Sequence, residues 1–249
     1  MVDGRIAERR AEVRAARRRA RLRRTLLVLL LVALAGAAAW FARSEHAEVR
    51  SLIVEGAVRL EAGEIEAASG VVVGDSALLL WPPRVAIALE ELPLVRSAEV
   101  SRRRLRDVVL RVVERAPVYA VTYRGESSLI DRDGIVVDRG TDARLPSVAL
   151  FTAPPRPGES VAGHAALANA HRVWTGLSGP VRSRVVAMRA PDEDGLEFTL
   201  DDGMVVRFGR AEQLEEKVRA LGAVLDDVAG TEVTLVDVRV PGFPVVRID

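Results

Sequence analysis

The run from Leu26 to Phe41 constrains this chain more than any other stretch. It reads Leu-Leu-Val-Leu-Leu-Leu-Val-Ala-Leu-Ala-Gly-Ala-Ala-Ala-Trp-Phe, sixteen residues without a charge. A helix over residues 25–42 is roughly 27 Å long at ~1.5 Å per residue, close to the thickness of a bilayer's hydrocarbon core. Trp40 and Phe41 stand at its far end, where aromatic rings favour the headgroup level. Ahead of it the first 24 residues carry ten arginines against Asp3, Glu8 and Glu12. Such an arm offers no apolar partner, so a buried core helix is a poor reading and a membrane anchor is the expected one. A secretory signal competes, because Ala37-Ala38-Ala39 is a small-residue cleavage pattern, but both the arm and the apolar run are long for a signal. On either reading the positive-inside rule keeps the arginines in the cytoplasm and places residues 43–249 outside the membrane.

Charge supports this division. The formal net charge is +1, but beyond the arm 26 basic residues face 32 acidic ones. The exported part is therefore acidic, and a nucleic-acid partner, which needs a basic folded surface, is not expected. The arm itself serves topology and attraction to anionic lipid, worth ~1 kcal/mol per charge near the surface. There is no cysteine, so packing rather than disulfides must hold the exported domains.

Past a polar exit at 43–48, apolar periodicity predicts a strand at Val49–Gly56 and helices at Glu61–Ser69, closed by Gly70, and Arg84–Leu92, stopped by Pro93. Two strands follow, Val95–Arg102 and Asp107–Glu114. The order is β-α-α-β-β. Beyond Pro117 the pattern turns mostly β. Strands are expected at Val118–Tyr123, Ser127–Asp131 and Ile135–Asp138, the last two flanking an Asp133-Gly134 turn. A stiff loop at Pro154–Gly158 leads to a helix at Gly163–Leu177 and strands at Val181–Ala187, Leu196–Leu200 and Met204–Phe208. Ala211–Val228 is the clearest soluble helix, with Leu214, Val218, Leu221, Leu225 and Val228 in one apolar stripe. Val233–Val240 and Val245–Ile248 close the chain as strands. The expected fold class is α+β: a transmembrane helix, a β-α-α-β-β domain, then a mixed β-sheet domain with two helices.

Three clusters at fixed spacing are more specific. They are Val54-Glu55-Gly56, then Leu92-Pro93-Leu94-Val95-Arg96-Ser97-Ala98-Glu99-Val100, then Val112-Val113-Glu114-Arg115-Ala116-Pro117-Val118. Together they resemble the polypeptide-transport-associated (POTRA) domain of the bacterial division family FtsQ/DivIB. Further on, Leu200-Asp201-Asp202-Gly203, Phe208-Gly209, a helix, and Val236-Asp237-Val238-Arg239 resemble that family's β domain. Two departures stand out. Arg104-Leu105 occupies the place of an aromatic-Pro pair common in relatives, and Val240 that of a frequent Tyr. The resemblance divides the chain into a basic arm (1–24), a transmembrane helix (25–42), a linker (43–48), a POTRA domain (49–117) and a β domain (118–249).

No catalytic constellation is visible. His46, His164 and His171 have no third ligand at metal spacing and read as surface histidines. Asp131-Arg132-Asp133-Gly134 and Asp192-Glu193-Asp194-Gly195 lack the closing glutamate of a calcium loop and read as turns. Neither a Gly-x-Ser-x-Gly elbow nor a phosphate-binding glycine loop occurs. No cofactor, metal or small-molecule substrate is expected. The resemblance implies a non-enzymatic scaffold at the division septum. It would span the inner membrane once and bind FtsB- and FtsL-like proteins while septal peptidoglycan is made. It also implies that the partner adds a strand at the end of the β domain, which makes Val240, Gly242, Phe243, Val245, Val246, Arg247 and Ile248 the candidate contact residues. Arg189 is a further charged candidate. The competing classes are an exported cell-wall hydrolase, which needs converging polar groups in a cleft, and an outer-membrane assembly factor, which needs POTRA repeats or a barrel.

Overall fold

The computed structural model describes residues 24–104 and 106–248. The arginine arm therefore lies outside the described residues except for Arg24, as does Leu105. Helix α1 (Arg24–Ala42) has a mean hydropathy of 2.4 and leaves nearly all of its surface uncovered by the rest of the protein. Its length and composition are those of a membrane span. The helix ends under two caps: Arg43 Nη1 donates to Ala39 O, and Ser44 Oγ donates to Phe41 O. A single 3-10 turn, Glu45–Ala47, then leads into the folded part.

A three-stranded unit comes first. Strands β1 (Ser51–Glu55), β2 (Val95–Arg104) and β3 (Asp107–Glu114) form a sheet in the order β1-β3-β2, with β1 parallel and β2 antiparallel to β3. Helices α2 (Ala62–Ser69) and α3 (Pro82–Glu90) cover one face. Val49, Ile65, Leu89, Val95, Val108, Leu110 and Val112 meet there as a core. Fully burying a Leu or Ile side chain of this kind contributes roughly 1.5–3 kcal/mol. Gly70 closes α2 in the left-handed region, as expected. Helix α3 begins at Pro82, two residues before the expected Arg84. Proline lacks an N–H, and a first helical turn leaves those donors unpaired anyway.

The remaining strands make one nine-stranded mixed sheet. They are β4 (Pro117–Tyr123), β5 (Glu126–Asp131), β6 (Val136–Arg139), β7 (Ser147–Leu150), β8 (Val185–Ala190), β9 (Glu197–Leu200), β10 (Val205–Arg207), β11 (Val233–Asp237) and β12 (Val245–Ile248). Their spatial order is β12-β11-β10-β9-β8-β7-β4-β5-β6. Helices α4 (Ala165–Gly176) and α6 (Leu214–Asp227) pack against the sheet over a core that includes Tyr119, Leu167, Val173, Phe198, Phe208 and Leu221.

Four expectations are corrected. Val181 does not open a strand: Gly179–Arg184 forms a short helix, α5, with Pro180 in its first turn, and the strand runs from Val185 to Ala190. Strand β7 has no counterpart in the sequence reading, because four residues after Pro146 give no periodicity until β4 and β8 pair with them on either side. Strand β11 stops at Asp237, short of Val240. There Asp237 Oδ1 accepts from Arg239 N and turns the chain.

The fourth correction concerns histidine. His46 is exposed, but His171 is half-buried, and its Nδ1 lies 3.0 Å from the hydroxyl of the fully buried Tyr119. Burial holds His171 below its ordinary value of 6.5, outweighing nearby Asp131 and Asp133. The unfolded chain thus binds the proton more readily, and this contribution to stability is lost as pH falls below about 6.5 and on through the lower folded value. The thermal midpoint should fall over that interval. His171→Asn, which keeps an acceptor for Tyr119, should flatten that part of the profile; an unchanged profile would rule out this role.

The two sheets are clamped together. Leu94 packs on Ala120, Leu129 and Val137, on the side of the sheet away from the main core. Arg115 Nη1 reaches the buried Asp131 at 2.8 Å, and its Nε donates to Val95 O at 3.2 Å. Arg96–Asp133 and Arg59–Asp138 pairs flank this contact at 3.2 Å and 3.4 Å. Meanwhile the Glu114 carboxylate accepts from the backbone N–H groups of Val58, Arg59 and Leu60. The adjacent Glu114-Arg115 pair therefore does two jobs: one residue closes the first unit and the next ties it to the second.

Candidate partner interface

Among the described residues strand β12 is the outermost strand of the large sheet, paired antiparallel with β11 alone. Pro241-Gly242 turns the chain ahead of it, and Phe243 N donates to Val240 O across that turn. Phe243 is 80% exposed, and Val240, Val245 and Ile248 are also open to solvent. Val246 differs: it faces Val236 and is partly buried against the main core. Thr234 Oγ1 donates to Arg247 O, so that carbonyl faces β11. By the alternation of an antiparallel ladder, the backbone groups of Val246 and Ile248 then face away, toward the free edge. A shallow groove of ≈ 370 Å³ lies between Pro241-Gly242 and Glu216, Arg219, Ala220 and Ala223 of α6. The seven C-terminal candidates are thus contiguous along this edge, with Val246 turned partly toward the core.

Arg189 does not join them. It lies on β8, four strands from β12, roughly 19 Å at ~4.8 Å per strand. Its guanidinium stacks 5.3 Å from the ring of Phe151, an exposed residue just past β7.

His164 and Asp131 have structural partners. His164 Nδ1 accepts from Leu167 N as the N-cap of α4. The ring proton therefore sits on Nε2, which donates to Thr152 Oγ1 at 2.8 Å and cannot act as a base toward it. Asp131 Oδ1 accepts from Asp133 N and Ile135 N, as a turn requires. Among the described residues no group of three His, Asp or Glu side chains is placed to hold a metal.

Lys217 was missed by sequence reasoning. Helical spacing does place it beside the apolar stripe, between Leu214 and Leu221. It is 4% exposed, and its Nζ donates to Phe208 O and Arg210 O while lying 5.6 Å from the Phe208 ring. Burial holds its pKa below the ordinary lysine value. This buried cation ties α6 to the turn after β10, close to the sheet edge that β11 and β12 extend.

A helix of membrane-span length and composition, a β-α-α-β-β unit and a mixed sheet with β12 at its edge define the class of architecture. The POTRA domain, FtsQ-type, matches residues 47–115, and the cell division protein FtsQ/DivIB, C-terminal family matches residues 119–239. Similar proteins include the cell division protein FtsQ of Mycobacterium tuberculosis (strain ATCC 25618 / H37Rv), 32% identical over 213 residues, which is 85% of this chain and 64% of that protein. That of Mycobacteroides abscessus is 30% identical over 200 residues, 80% of this chain and 61% of the relative. That of Corynebacterium glutamicum is 25% identical over 192 residues, 77% and 84% of the two chains. The chain belongs to the FtsQ/DivIB family of cell division proteins. It spans a little under two thirds of the mycobacterial relatives' length, and the matched β-domain segment ends at residue 239, ahead of β12.

Proposed function

We infer that this protein acts in cell division as a membrane-anchored scaffold without catalysis of its own. Its N-terminus is cytoplasmic, both folded units lie outside the membrane at the septum, and it helps to organise septal peptidoglycan synthesis. Small coiled-coil partners of the FtsB and FtsL kind bind by adding a strand to β12. The free edge of β12 carries this reading, because outward N–H and C=O groups supply affinity to an extended peptide while neighbouring side chains supply selectivity. Phe243 is the natural anchor, being aromatic and exposed beside that edge.

Val246→Pro tests it. Proline removes an outward donor, so affinity for an FtsB-like peptide should fall at least tenfold, the equivalent of ~1.4 kcal/mol. Val246 also packs against the core, so the variant should lose about 1 kcal/mol of stability from that contact. Val246→Ala separates the two effects, since it loses the same packing but keeps the N–H. If the alanine and proline variants bind alike while both remain folded, the strand-addition reading is wrong and the partner docks elsewhere. Arg189→Ala, on a separate surface of the same sheet, should leave this affinity unchanged.

A further inference from the structure

The end of the POTRA domain nearest α1 carries apolar side chains that its own core does not use. Leu79 is 62% exposed, Trp81 69%, Val72 64% and Val73 59%. Their position is set by the helix. Ser76 Oγ donates to the carbonyl of Ala42, the last residue of α1. Ala77 N donates to Ala47 O, and Val49 N donates to Asp75 O. Leu79 N and Leu80 N both fold back onto Ser76 O, so the segment stays within one turn of that anchor point. Since α1 is only just long enough to cross the hydrocarbon core, Ala42 lies at its boundary, and the residues bonded to it lie at headgroup depth.

The surrounding charge fits a lipid surface. Arg102 Nη2 donates to Leu80 O, and Arg106 Nε donates to Glu48 O, so the β2–β3 hairpin end flanks the same segment. Among the described residues Arg84, Arg102 and Arg104 have no carboxylate within 4.0 Å. Of the nearby acids, Asp75 accepts from Val72 N and Asp107 from Ser51 Oγ, while Glu45 and Glu48 stay on the exit turn. An aromatic and a leucine rimmed by arginines that have no carboxylate partner is the composition of an interfacial anchor.

We propose that the Ser76–Trp81 segment is seated in the headgroup layer of the same bilayer that α1 crosses, with Leu79 and Trp81 toward the acyl chains and Arg84, Arg102 and Arg104 on lipid phosphates. This second attachment holds the POTRA domain at a fixed tilt instead of letting it swing on the exit turn, and so sets the height of the β12 edge above the membrane. The inference rests on the reading of α1 as a membrane span.

The chain contains no cysteine, so a single introduced one carries a unique label. Leu79→Cys, Val58→Cys and Leu34→Cys are each labelled with an environment-sensitive fluorophore on the full chain in nanodiscs of phosphatidylcholine and phosphatidylglycerol. Val58 is more exposed (86%) than Leu79 but lies by the far end of β1, and Leu34 lies within α1. Quenching by spin-labelled lipid should be severalfold stronger at positions 79 and 34 than at 58. Quenching at 34 but not at 79 overturns the proposal and leaves the anchor standing. Shielding of 79 from both lipid-borne and water-soluble quenchers also overturns it, in favour of a protein contact. Absence of lipid quenching at 34 removes the anchor reading, and the proposal with it.

Discussion

Gly56→Ala is expected to destabilise the POTRA domain by about 3 kcal/mol or more, at the far end of what single substitutions do. Gly56 has φ +87°, a conformation that costs a residue with a Cβ roughly 1–2 kcal/mol on its own. The neighbourhood then adds a collision: a Cβ here falls 2.1 Å from Val112 O and 3.3 Å from Val112 C. Those are backbone atoms of β3, the central strand, held by β1 on one side and β2 on the other, so neither partner can yield cheaply. Gly70→Ala is the control, because its φ is +65° but nothing lies within 4 Å of its Cβ position. It should lose only about 1 kcal/mol. Urea unfolding of the two variants separates strain from collision. Equal losses would show that the β1–β3 approach at Gly56 relaxes.

The second large effect is at the clamp. Arg115→Met removes the cation facing Asp131, whose side chain is 2% exposed, and leaves a buried carboxylate without its partner. Breaking such a pair from one side costs ~3–5 kcal/mol, more than the intact pair contributes. Adding Asp131→Asn should recover most of the loss, since the amide oxygen still accepts from Asp133 N and Ile135 N. The single variant should also weaken the coupling of the two sheets, because Arg115 bonds Val95 O as well. Calorimetry is then expected to resolve two transitions in the variant and one in the parent. If Arg115→Met melts like the parent, solvent reaches Asp131 and the clamp contributes little.

Single elements were legible in the sequence wherever a feature is local. An apolar run of bilayer length, the stripe at Leu214, Val218 and Leu221, and the Asp133-Gly134 turn each follow from the period of one element or the φ preference of one residue. The motif around Glu114, Arg115 and Pro117 was visible as a pattern, but its reason was not. Glu114 caps a loop more than fifty residues upstream, and Arg115 neutralises an aspartate in a different sheet.

The same limit explains the misses. Strand β7 exists because β4 and β8 flank it, α5 replaces the start of a strand, and His171 sits half-buried because Tyr119 lies against it. The C-terminal candidates are contiguous in the chain, whereas Arg189, a separate charged candidate, lies four strands away. Periodicity tells which side of a strand is buried. Which strand lies at the edge of a sheet, and therefore which backbone groups remain free for a partner, depends on pairings between distant segments, and only the folded arrangement of all nine strands decides it.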